Sequence, residues 1–164
     1  MAVTTNLSLD LLDAGDLAAR TKFNGNMNTI DGLGAALAGD AFTTIAGGTG
    51  TGSKGDLINL TNSGGAIRAR SANASVASLA RIAHGVALAN YTTGGSLRVK
   101  TSAGVIEKTA HGFTIGALLY LSGSADGAWT ATAPSTSGYA VQPVGVATTA
   151  NEILWFGVGT PYIA

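Results

Sequence analysis

The sequence contains no cysteine. Disulfide staples and thiolate chemistry are therefore excluded, and the redox compartment leaves no trace in it. Charge is sparse as well, at 11% of residues against roughly 25% in ordinary soluble domains. Aromatic side chains make up only 6%. Apolar runs extend a few residues at most, far short of the roughly 20 that a membrane helix requires, so no membrane partner is expected. The opening MAVTTNLSLD lacks a basic stretch followed by an apolar run, and no secretory signal peptide is expected from it.

What is present is small. The hydrophobic fraction of 46% overstates the core, because alanine supplies much of it, and alanine and glycine together make up about a third of the 164 residues. A buried alanine removes far less apolar area from water than leucine or phenylalanine, at roughly 25 cal/mol per Å². A lone subunit would have a thin core, and burial between subunits is an attractive second source of stability. Disorder is not implied, since that needs low hydrophobicity together with high net charge, and the formal net charge here is zero.

The charges are unevenly placed. Residues 1–53 carry Arg20 and Lys22 against Asp10, Asp13, Asp16, Asp31 and Asp40, whereas residues 54–108 carry seven basic side chains against Asp56 and Glu107. Arg68, Arg70, Arg98 and Lys100 alternate with apolar residues as solvated strand faces do, so no nucleic-acid partner is expected.

Three regions follow from composition. Leu7, Leu9, Leu11, Leu12 and Leu17 stand among aspartates in residues 1–20, and Leu7 to Leu11 alternate with period two. That pattern predicts an extended arm that lies on a surface, with Leu7, Leu9, Leu11 and Leu12 as its docking residues, or else a first strand of the domain. In residues 21–38, Phe23, Met27, Ile30, Gly34 and Leu37 repeat at four, three, four and three, a narrow heptad seam on a short helix. Thr21 is its candidate N-cap and Gly39 its stop. Either one amphipathic helix on a core or a three-fold oligomer seam through Phe23, Met27, Ile30 and Leu37 satisfies the spacing. Residues 46–54 form a Gly-rich hinge, so 1–45 reads as arm and helix and 55–164 as a β domain.

Beyond the hinge the period becomes two. Candidate strands are 56–61, 65–70, 79–89, 96–100, 103–107, 117–122, 128–132, 140–147 and 152–158, parted by Gly, Ser and Asn clusters. Short strands at this spacing predict a mainly β fold, a small antiparallel barrel or sandwich preceded by the extended arm and one short helix.

Motifs for chemistry are weak. Residues 50–55 spell GxGxxG, but a dinucleotide site needs that loop between a strand and a following helix. Here strands follow, and no cofactor is expected. His84 and His111 share the context Ala-His-Gly. Two histidines without cysteine or a carboxylate cluster make a poor metal site, and each is expected to cap a turn. Asp56, Glu107, Asp126 and Glu152 lie in separate turns or strand ends, and no serine sits in GxSxG, so no catalytic residue is expected. Trp129, Tyr139, Tyr120 and Trp155 are candidate stacking platforms for a carbohydrate, with core packing as their alternative role.

GDLINL at 55–60, IRARSANAS at 67–75, ARIAHGVALA at 80–89 and above all the stretch from His111 to Phe156 resemble a small β domain of tailed-phage virion proteins. That domain occurs in head fibres, capsid decoration proteins and some tail fibres. FNGNMNTID at 23–31 resembles the attachment-side helix near the start of phage fibre proteins. The resemblance implies a homotrimer at the virion surface, made in the host cytoplasm, with a major capsid protein or other virion protein as partner and no catalytic residues. The chain lacks a long repetitive shaft and opens on a Leu-rich arm, which favours a compact decoration or head-fibre protein over a tail-fibre, baseplate or adaptor component. A carbohydrate-binding module, with a host-surface glycan as partner, is the alternative from a different class.

Overall fold

A computed structural model describes residues 50–75 and 81–164 in full and 42–47 in backbone. The arm leucines Leu7, Leu9, Leu11 and Leu12 and the helix seam of Phe23, Met27, Ile30 and Leu37 lie outside the described residues. The chain divides at Asp40 into two units, and the second, Ala41–Ala164, holds every described strand.

The fold is mainly β, as the alternation predicts. β1 (Phe42–Gly47), β2 (Leu57–Ser63), β3 (Ala66–Ser71), β4 (Gly85–Ala87) and β5 (Ser96–Lys100) curl into a small barrel in the order β1-β3-β2-β4-β5, closed by β5 against β1. All its pairs are antiparallel except β1 with β3. β6 (Gly104–Glu107), β7 (Leu118–Leu121), β8 (Trp129–Thr130), β10 (Pro143–Ala147) and β11 (Glu152–Trp155) form a second, antiparallel sheet in the order β6-β11-β10-β7-β8. β9 (Ala140–Val141) pairs with β12 (Tyr162–Ile163).

β1 moves the boundary expected from composition. The β unit begins before the Gly-rich stretch, which supplies the end of β1, a bridge from Gly52 to Tyr91 and a turn at Lys54-Gly55. Gly52 is required by contact, because a Cβ there would overlap the Tyr91 ring. The GxGxxG segment thus joins two strands, with no helix after it.

Two cores follow from strand alternation, because successive side chains leave opposite faces of a strand. Ile58 and Ala87 point into the barrel with Ala69, Tyr91, Leu97 and Val99. Their neighbours Leu57 and Val86 point the other way, onto Ile106, Leu119, Trp129, Ile153 and Trp155 of the second sheet. Trp129 and Trp155 meet edge to face, centroids 6.2 Å apart at 83°, and the Trp129 indole N–H donates to the Gly55 carbonyl at 2.8 Å. Gly145 gives the pair room, since a Cβ on it would press on the Leu154 carbonyl and the Trp129 ring. Both tryptophans are buried, which removes them as stacking platforms for a ligand.

Gln142 ties barrel to sheet. Its side chain is fully buried, its Oε1 accepts from the Ala83 N–H at 2.8 Å, and its Nε2 donates to the Ala83 carbonyl at 2.9 Å. The amide therefore copies a strand pairing where the backbone offers none. Both polar ends are satisfied, which is what makes a buried amide tolerable.

Candidate functional site

The outer face of the second sheet departs from the usual solvated side of an antiparallel sheet, where polar residues alternate with apolar ones. On β11, Ile153 and Trp155 face the core, which sends Glu152 and Leu154 outward. Register then builds a row. Val105 lies opposite Leu154, Leu154 opposite Val146, and Val146 opposite Leu118, so four strands present one apolar line. Val105 is 53% exposed, Leu118 39% and Leu154 38%, with Val146 half-buried.

A second row runs beside it. Phe156, two residues past Leu154, is 42% exposed, and its N–H donates to the Val144 carbonyl at 3.1 Å. Pro143 lies opposite Tyr120, which lies opposite Thr130, and all three are half-buried. On the other side of the first row Glu152 lies directly opposite Glu107, and both are exposed. Lys54 pairs with Glu107, and its hydrogen bond and charge hold the Glu107 carboxyl below its ordinary value. The Thr149 hydroxyl donates to Glu152 at 3.4 Å. The surface is thus an apolar centre with an acidic rim. Sequence reasoning assigned these residues to strands and missed the face, because alternation alone does not say which side of a sheet is covered.

Two concave sites also occur. A cleft of about 320 Å³ is lined by Gly50, Thr51, Arg70, Ser71, Arg81 and Asp126. Within it Arg81 donates to Asp126 at 2.8 Å and to the Ser71 carbonyl at 2.7 Å, and Arg70 Nε donates to Asn59 Oδ1 at 2.8 Å. Burial raises the Asp126 carboxyl, but hydrogen bonds from Arg81 and Asn73 outweigh it and leave the carboxyl below its ordinary value. A groove of about 360 Å³ is edged by Ser122, Ser124, Thr130, Thr132, Thr136 and Tyr139. Hydroxyls there serve turns, with Ser122 and Ser124 bonded to each other at 3.0 Å.

Three carboxylates are each paired with a different cation. Asp56 pairs with Lys108 at 3.5 Å, Asp126 with Arg81, and Glu107 with Lys54. Among the described residues no three His, Asp or Glu side chains gather as metal ligands, and no helix is long and apolar enough to cross a membrane.

The two histidines differ in what they hold. His111 fits the expected turn cap: its Nδ1 accepts from the Phe113 N–H at 3.0 Å, while Nε2 meets the Thr149 carbonyl at 2.7 Å. His84 reaches further, its Nδ1 accepting from the Leu60 N–H on β2 at 3.0 Å. Burial pushes the His84 imidazole below its ordinary 6.5, and the Leu60 hydrogen bond opposes that only in part. No protein family, curated protein or solved structure matches the chain, so the argument for function rests on these surfaces.

Proposed function

We propose that this chain is a non-enzymatic structural subunit of a tailed-phage or phage-like particle. In this reading it is a homotrimeric capsid decoration or head-fibre protein that grips the particle through Leu7, Leu9, Leu11 and Leu12. The observation that carries the reading is the apolar outer face of the second sheet. Contiguous exposed apolar surface marks a site that meets another protein, and here it spans Val105, Leu154, Val146 and Leu118 across four strands. The sequence resemblance to phage virion β domains supplies the kind of assembly, and the Leu-rich arm supplies a second apolar element for the docking partner.

The test is decoration of parent particles lacking this chain. Full-length protein is expected to coat them at a fixed high copy number on the head, and the Leu9→Asp/Leu11→Asp double variant to coat poorly with its circular dichroism unchanged. Full coating by that variant overturns the arm's role. Binding at a few copies at the tail favours a tail-fibre, baseplate or adaptor component. The hydroxyl-lined groove beside Tyr139 supports a second reading, recognition of an uncharged host-surface glycan, and glycan-array binding lost in Tyr139→Ala is its measurement.

A further inference from the structure

We infer that the apolar outer face of the second sheet receives a segment of another protein that carries a lysine or arginine beside its apolar side chains. The inference rests on the reading above for the face being a docking surface, and adds the chemistry of what docks there.

Parallel lines of side chains cross this face. One holds Glu107 and Glu152, directly opposite each other on β6 and β11. The next is the apolar line from Val105 through Leu154 and Val146 to Leu118. Phe156 and Tyr120 belong to the line beyond that. Neighbouring lines stand about 7 Å apart, and the apolar one, crossing four strands, is about 14 Å long. Those dimensions suit one strand or helix laid on the sheet better than a whole domain face, which buries about 800 Å² per partner.

The acidic pair sets the sign that this segment carries. Like charges directly opposite on paired strands oppose the pairing. Lys54 offsets Glu107. Glu152 accepts from the Thr149 hydroxyl at 3.4 Å, and among the described residues no cation is paired with it. Glu107, Glu152 and Lys54 thus leave one net negative charge at the edge of the apolar line. A basic side chain arriving there relieves a repulsion that the subunit alone retains, whereas an acidic one adds to it. Charge so placed selects and orients a partner more than it tightens the contact. Glu152 is two residues from Leu154 along β11. The partner's cation therefore lies about two residues from its apolar contact on an extended segment, or about one turn away on a helix.

A random peptide library selected on the full-length chain tests this without any particle. Selected peptides are expected to combine apolar residues with Lys or Arg at that spacing. Leu154→Arg is expected to weaken their binding on the order of a hundredfold, with β content kept by circular dichroism. Glu152→Gln is expected to weaken it roughly two- to fivefold, and Glu152→Lys about tenfold or more. Selected peptides without a cation overturn the inference, as does binding indifferent to Leu154→Arg or to Glu152→Lys, or a library that yields no binder for this face. Should the variants misfold, amide chemical shifts of the wild type with the tightest peptide decide: changes that spare β6, β11, β10 and β7 overturn it. A wild type that associates with itself, and ceases to in Leu154→Arg, makes a second copy the occupant and overturns it too. Cationic peptides bound on this face while particles stay bare sink the proposed function alone. Coated particles with no cationic peptide selected sink this inference alone.

Discussion

The barrel and the second sheet obey the same alternation and end with opposite surfaces. Around the barrel, the residues that turn away from Ile58, Leu97 and Val99 include Arg68, Arg70, Ser96 and Arg98. Across the second sheet, the residues that turn away from Ile106, Leu119 and Ile153 include Val105, Leu118, Leu154 and Val146, with Glu107 and Glu152 at one edge. Both regions have a filled inner face, so folding of one subunit accounts for the inner residues in each. The outward side of β3 and β5 is charged, whereas the outward centre of the second sheet is apolar. The difference separates side chains whose burial the subunit itself supplies from side chains it leaves in water, and on the proposed reading the latter are the ones a partner covers.

Adjacent residues on β11 offer the sharpest break of that comparison. Trp155 is fully buried against Trp129, and Leu154 is its outward neighbour. Trp155→Ala is expected to cost about 3–5 kcal/mol in urea unfolding, the range for deleting a large core aromatic. Leu154→Ser is expected to change the stability of the folded chain by about 0.5 kcal/mol or less, as exposed positions do. Equal losses at the two positions would mean that the outer face is packed within the subunit after all.

The seam between the two regions comes next. Gln142→Ala leaves the Ala83 N–H and carbonyl buried without their partners, at about 1–3 kcal/mol for each unsatisfied group. A loss of roughly 2–4 kcal/mol is expected in the same urea experiment. Loss below about 0.5 kcal/mol would show that water replaces the amide and that barrel and sheet are joined by apolar contact alone.

Much of the β unit was legible in the sequence, and for one reason. Where a strand has one covered face, its apolar residues repeat every second position, as in SLRVK, whose expected span 96–100 matches β5. The stretch 79–89 reads as a long strand, yet only Gly85–Ala87 pairs among its described residues, because its polar groups are taken by Gln142, Asn73 and Ile58 instead. β1 was hidden by the glycines after it, although Phe-Thr-Thr-Ile is a strand-forming run. β12 was hidden because its two residues pair only with β9, a partner far away in sequence. The candidate site was not legible, since Val105, Leu154, Val146 and Leu118 become neighbours only through register. For the same reason Gln142 carried no signal.

A smaller effect, bound to pH, distinguishes the barrel side. His84 is held neutral by burial and accepts the Leu60 N–H at Nδ1. Its folded pKa lies below the ordinary 6.5, so the unfolded chain takes up the proton first as pH falls. The contribution is therefore present above pH 6.5 and declines through the lowered value. Stability is expected to fall between pH 7 and 5, well before Glu107 and Asp126 titrate, since their carboxyls lie below 4.5 and 3.8. His84→Asn, whose Oδ1 takes the place of Nδ1, is expected to flatten the profile over that range. An unchanged slope in the variant would assign the pH dependence elsewhere.

The smallest expected effect lies on the sheet side, in the loop between β6 and β7. Ala110 adopts φ of 52°, in the left-handed region, where an L side chain costs roughly 1–2 kcal/mol. The conformation is held from outside: the Ala110 N–H donates to Asn151 Oδ1 at 2.9 Å, and the next residue meets the Thr149 carbonyl through its ring. Ala110→Gly relieves the side-chain clash but gives the unfolded chain more freedom, at about 0.5–1 kcal/mol. The net gain expected is about 0.5 kcal/mol, a rise of roughly 1–2 °C in Tm. Gly112, two residues on, has φ of 73° and open space where a Cβ would stand. Gly112→Ala is accordingly expected to lower Tm by a similar amount, through backbone strain alone. Opposite signs at these two positions would place the strain in the backbone of this loop. A fall in Tm for both would mean that Ala110 gains more from its methyl contacts than it loses to its φ, and the loop would then count as packed rather than pinned.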